Sequence, residues 1–173
     1  ITFPQTFWDD FPFNLRVLRD VERVAVTSKQ YYHFMRARAE SETARYVPQM
    51  YEKREEEHQW MLELYRHWGV DNAESREFLA RRYIERVIGC VENVTNKKCT
   101  LSPSEKKREI WRIISDAKVA HSLKEARPRS LMMKLMLIPV RMRSVGLTYL
   151  QSRLITWVKF RNTRLFATLK AKR

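Results

Sequence analysis

Phe7-Trp8-Asp9-Asp10-Phe11-Pro12-Phe13-Asn14-Leu15, close to the amino end, sets two adjacent carboxylates where a loop turns into a helix. Three cues mark the helix start. Asp9 or Asp10 can cap it, because a side-chain carboxylate accepts the orphan amide hydrogens of a first turn. Pro12 fits that turn, where no amide donor is missed. Phe11, Leu15 and Leu18 then recur at helical spacing and give one apolar face. A carboxylate held rigidly at such a junction can face a cleft, and two like charges side by side raise the pKa of one of them, which suits a general base. A plain helix cap with a solvated neighbour is the alternative, and the local residues leave both open.

Working outward, the 173 residues are 44% hydrophobic, enough for one domain with a core and too apolar for a disordered chain. Only 3 glycines and 6 prolines interrupt them, which favours long helices. The net charge of +14 belongs to the carboxyl end: residues 127–173 hold 12 Lys and Arg and no Asp or Glu, whereas the preceding 126 residues hold 22 basic and 20 acidic groups. Such a tail points to a polyanion: an anionic membrane surface, nucleic acid or diphosphate groups. The opening on Ile1 rather than Met is read as a piece of a longer or processed chain. Cys90 and Cys99 are too few for a disulfide framework and have no His at ligand spacing, so they read as two ordinary thiols of a reducing compartment. Asn93-Val94-Thr95 matches a glycosylation acceptor, a motif short enough to recur by chance. No signal peptide is visible, and the longest apolar run, Leu131 to Val140, is broken by Lys134 and Pro139 and cannot span a bilayer.

Arg19-Asp20 closes the first helix. Glu22 to Thr27 alternates with β-branched residues and predicts a short strand, and Lys29 to Arg36, rich in tyrosine, predicts a second. Arg36-Ala37-Arg38-Ala39-Glu40-Ser41-Glu42-Thr43 reads either as a phosphate-binding loop of forked guanidiniums and hydroxyls or as a solvated loop paired with its own glutamates. From Pro48 the pattern is helical. Tyr51, His58, Met61, Leu62, Tyr65 and Trp68 share a face, Lys53, Arg54, Glu56 and Glu57 form most of the wet side, and Gly69 ends the helix. Asp71 or Asn72 caps the next helix, whose inward register runs through Phe78, Leu79, Tyr83, Val87, Ile88, Val91 and Val94. Ser102-Pro103-Ser104-Glu105 is a capping box with proline at the first helical position, followed by inward Ile110, Ile113, Ile114 and Ala117. Arg127-Pro128 breaks the chain. Two basic, apolar segments follow, Ser130 to about Ser144 and Leu147 to about Leu169, with Gly146 between them.

Taken in order, these residues resemble the C-terminal part of the large inverting family-two glycosyltransferases with the GT-A fold. Those bacterial enzymes carry an acidic pair followed by Phe and Asn, matched by Asp9-Asp10-Phe11-Pro12-Phe13-Asn14. A strand, a Tyr-rich strand and an Arg-x-Arg-x-Gly-Ser-x-Thr loop come next, matched by Tyr31 to Thr43, with Glu40 in place of Gly. A helical extension, often opening Ser-x-x-Glu-Lys, is matched from Ser102 to Lys106. Trp8 stands where Gly often precedes the acidic pair. The resemblance implies a mainly α chain, a helical bundle with one or two short N-terminal β-strands left over from a GT-A sheet. It divides into residues 1–45, the acceptor-side end of the catalytic domain; 46–126, a helical extension; and 127–173, basic amphipathic helices.

It further implies Asp10 as the base deprotonating an acceptor hydroxyl, Asp9 as a substrate-binding residue beside it, and Arg36, Arg38, Ser41 and Thr43 binding substrate near the leaving diphosphate. No Asp-x-Asp motif is present, so the nucleotide-sugar donor and a divalent Mg or Mn would belong to an upstream domain of the same protein, with no cofactor in this part and no activity of this part alone. The implied acceptor is a sugar or a lipid-linked glycan of cell-surface polysaccharide or glycolipid synthesis, on the cytoplasmic side and peripheral on the inner face of the membrane. Strands without neighbours expose their edges, so pairing into a homo-oligomer is expected. The terminal helices either lie in an anionic headgroup layer or pack on the bundle with their cations solvated. The competing classes are a basic nucleic-acid-binding module, which no recognised motif supports, and a peripheral membrane module with no enzymatic role.

Overall fold

The computed structural model describes residues 10–29 and 45–161, with side chains as far as Trp157. Over these residues the chain is mainly helical: α1 (Asp10–Leu18), α2 (Met50–His67), α3 (Ala73–Val94), α4 (Pro103–Ile114), α5 (Ala117–Glu125), α6 (Leu131–Arg141) and α7 (Val145–Arg161). α3 is the central helix and packs on α2, α4, α5, α6 and α7, while α1 lies on α2. The core is built where their apolar stripes meet. Tyr83, Ile84, Val87, Ile110, Ile113, Ile114, Val119, Leu137 and Val140 are all but sealed from water.

The helix boundaries follow local chemistry. Asn72 caps α3 in a reciprocal box with Ser75, and Ser102 caps α4 in one with Glu105, with Pro103 at the first position. α2 ends at a left-handed Gly69, φ 65°. Gly69 N–H donates to the Arg66 carbonyl and Val70 N–H to that of Tyr65, which satisfies two of the last carbonyls in a Schellman arrangement. Two polar clasps tie the bundle together. The Asn93 side chain donates to Val47 O at 2.8 Å and accepts from Val47 N at 2.9 Å, fastening the entry to α2 onto α3. Thr95 and Ser152 share a buried hydroxyl bond of 2.6 Å between the end of α3 and α7.

Several expectations are corrected. Over residues 21–29, where Glu22 to Thr27 is expected as a strand, the chain is irregular with Val24 and Val26 exposed, and no ladder partner for it lies among the described residues. The second strand, apart from Lys29, lies outside the described residues. Ala117 is exposed, because the helix through Ile114 stops at Ser115 and a new one starts under the Asp116 cap. The last turn is made by Arg143, not Gly146. Arg143 takes φ 51°, with Ser144 N–H donating to Pro139 O and Arg143 N–H to Val140 O, and Gly146 falls inside α7. Pro139 inside α6 cannot donate to the Leu135 carbonyl, and the Gln151 side-chain amide of α7 donates to it instead at 3.0 Å. Asn93-Val94-Thr95 is buried and the Asn side chain is bonded to Val47 through both its nitrogen and its oxygen, so it is no glycosylation acceptor in the folded chain.

Candidate functional site

Asp10 is the first residue of α1 and is exposed. The turn that carries it is anchored by its apolar neighbours. Pro12 is buried, Phe11 stacks on Trp60 of α2 with centroids 6.4 Å apart, and the Arg82 guanidinium of α3 lies 4.9 Å over the Phe11 ring. The far end of α1 is held as well: His67 Nε2 meets Asp20 Oδ1 at 2.8 Å, and the Trp68 indole donates to Arg19 O at 2.8 Å. Between α1 and α2 runs an open cleft of about 450 Å³ lined by Pro12, Leu15, Arg16, Trp60, Glu63 and His67, among others. Asp10 does not line that cleft. Asp9, Arg36, Arg38, Ser41 and Thr43 lie outside the described residues.

The charge centre that sequence reasoning missed is Glu57. Placed by the helical pattern on the wet side of α2, it is only 3% exposed. Its carboxylate accepts hydrogen bonds from Arg54 and Arg82, and Arg86 Nε lies 3.4 Å away without a hydrogen-bond partner of its own. Burial pulls the Arg54 and Arg82 guanidiniums below their ordinary range, and the Glu57 carboxylate works against that pull. The signal that could have found it was three arginines at helical spacing, Arg82 and Arg86 four apart on α3 and Arg54 one turn before Glu57, facing a helix with one inward-turned acid.

Two residues earlier on α2, Glu55 accepts from the Tyr83 hydroxyl and from Lys118 Nζ, the latter at 2.5 Å. Tyr83 and Tyr51 share a hydroxyl contact of 3.2 Å, and His58 stacks on the Tyr83 ring at 4.4 Å. Burial raises both phenols and lowers the His58 imidazole, so at neutral pH these groups are uncharged. Burial likewise pushes the Cys90 thiol up to about 12, which leaves no thiolate for nucleophilic work. Cys90 and Cys99 are free and buried.

This interior assembly joins α2 to α3 and α5, and through Arg82 and Phe11 it fixes where α1 begins. Chemically it is a brace. Asp10 is an exposed carboxylate on a turn whose neighbours are held by Trp60 and Arg82. Among the described residues no three His, Cys, Asp or Glu side chains converge to hold a metal ion, and no helix is long and apolar enough to cross a membrane. Comparison with family models, with curated proteins and with solved structures returns no match to this chain.

Proposed function

We propose that this chain is the C-terminal, acceptor-side and helical portion of an inverting nucleotide-sugar glycosyltransferase of cell-surface polysaccharide or glycolipid synthesis, working on the cytoplasmic side and peripheral on the inner membrane face. The observation that carries the reading is the seat of Asp10: exposed, at the first position of a helix whose first turn is pinned by Trp60 and Arg82.

In this reading Asp10 takes the proton of an acceptor hydroxyl as its oxygen bonds to the anomeric carbon from the face opposite the departing nucleoside diphosphate. Arg36, Arg38, Ser41 and Thr43 stabilise the negative charge that gathers on the diphosphate as its bond to the sugar breaks. The donor and its Mg or Mn are assigned to the upstream domain. The described residues do not fit a metal, and no step assigned to this chain runs through one. A peripheral membrane module with no enzymatic role is the second reading, favoured by the exposed outer faces of α6 and α7. Asp10→Asn in the polypeptide that carries the upstream domain separates the two. Transfer is expected to fall roughly 10²–10⁴-fold in kcat with donor affinity kept, the span of a lost general base. Unchanged transfer rules out the catalytic assignment.

A further inference from the structure

α6 has two apolar faces. Met133, Met136, Leu137 and Val140 enter the core, whereas Leu131, Leu135, Ile138 and Met142 form a second stripe, each at least half exposed. α7 repeats the division. Thr148, Ser152 and Thr156 are buried, and Leu147, Leu150, Leu154 and Trp157 point outward, each 49% or more exposed. α7 thus packs on the bundle through these three hydroxyls together with Val145, Tyr149 and Ile155, and still carries a stripe of large apolar residues toward water, more apolar surface than a helix that serves the core alone needs. The two stripes run side by side, because Gln151, between Leu150 and Leu154, bonds the Leu135 carbonyl. Eight large apolar residues are thus exposed along two adjoining helices rather than scattered singly.

The charged side chains on the α6–α7 segment itself have one sign. Lys134, Arg141 and Arg143 are exposed alongside the α6 stripe, and residues 127–173 contain no carboxylate. At the other edge, a cleft of about 360 Å³ is lined by Lys97, Lys106, Arg153, Tyr149 and Trp157, with no carboxylate in its wall. Trp157 belongs to both the cleft and the stripe. We propose that this face of the α6–α7 pair lies flat on a bilayer containing anionic phospholipid, its leucines in the acyl boundary and the Lys97–Lys106–Arg153 cleft on a phosphate headgroup. The inference deepens the peripheral placement in the reading above by naming the docking face and the lipid chemistry. A second copy fits less well, since face-to-face pairing sets cations against cations. A nucleic acid leaves the leucines without an apolar partner.

The test is flotation of the full chain with vesicles of phosphatidylcholine alone and of phosphatidylcholine with about 30% phosphatidylglycerol, a charge density at which surface attraction is strong. Binding is expected on the anionic vesicles and weakly on the neutral ones. Leu150→Ser with Leu154→Ser, both exposed and so compatible with an unchanged helical circular dichroism spectrum, is expected to lower partitioning roughly ten-fold or more. Lys97→Gln with Lys106→Gln is expected to lower it about five-fold per cation on anionic vesicles and to leave the neutral ones unaffected. Equal uptake by both vesicles, or uptake indifferent to both variant pairs, overturns the proposal. So does a concentration-dependent dimer abolished by Leu150→Ser with Leu154→Ser, or salt-steep oligonucleotide binding without vesicle uptake. The assay contains no sugar donor, so Asp10→Asn that loses transfer but keeps flotation, or the converse result, separates this inference from the enzymatic reading.

Discussion

Replacing Glu57 by Gln keeps the volume and one carbonyl oxygen but removes the charge that faces three guanidiniums. The Glu57 side chain is 4% exposed, Arg54 and Arg82 are 18% and 20% exposed, and Arg86, at 41%, reaches water more freely. Removing one partner of a fully buried pair costs about 3–5 kcal/mol, because the surviving charge is left without compensation. Here the outer edges of the arginines are wetted, so the lower end applies, about 3 kcal/mol. In a chain of this size that lowers Tm by roughly 6–12 °C, at about 2–4 °C per kcal/mol. Urea and thermal unfolding followed by circular dichroism at neutral pH measure it, with the exposed neighbour Glu56→Gln as control, expected within about 0.5 kcal/mol of the parent. The loss should persist in about 0.5 M salt, since buried pairs are weakly screened. Glu57→Gln with Arg82→Gln should be less destabilised than the sum of the single variants, because the second change removes a stranded cation. A Glu57→Gln variant as stable as the Glu56→Gln control, or strict additivity in the pair, would refute the picture of Glu57 as the brace of α2 on α3.

Two further outcomes follow from the same structure. Arg143→Gly is expected to stabilise the chain by about 1 kcal/mol, since Arg143 is held at φ 51°, where only glycine sits without strain; urea midpoints at constant slope check it. Burial lowers the His58 pKa below its unfolded value, so the unfolded chain binds the extra proton first. Stability is therefore present above the unfolded value and declines as pH falls through the folded one. His58→Gln should flatten that part of the stability–pH curve, and an unchanged slope would exclude His58 as its source.

Most of the helix plan was legible in local residues. Ser102-Pro103-Ser104-Glu105 announced α4 because a capping box and an N-terminal proline are satisfied within four residues, whatever packs on them. Gly69 announced the end of α2 for the same reason, as only glycine enters the left-handed region without cost. Arg143 was hidden because its strained φ comes from the packing of α6 and α7, and the nearby Gly146 offered a cheaper turn that the tertiary structure does not use. Of the candidate site, the acidic residue at the head of α1 was readable, whereas its anchoring by Trp60 and Arg82 was not, because both come from helices distant in sequence.

The linear chain by itself determined that the protein is mainly helical, where its caps fall, and that its cations gather at the carboxyl end, since these depend on neighbours a turn apart or on composition. Tertiary packing decided the rest. It turned Glu57 inward, because guanidiniums from another helix offset the desolvation of its carboxylate. It also turned the leucines of α7 outward, because the inward side of that helix is taken by Thr148, Ser152 and Thr156 with Val145, Tyr149 and Ile155. Which side of a helix meets water is set by what lies across from it, and no count along one strand of sequence contains that.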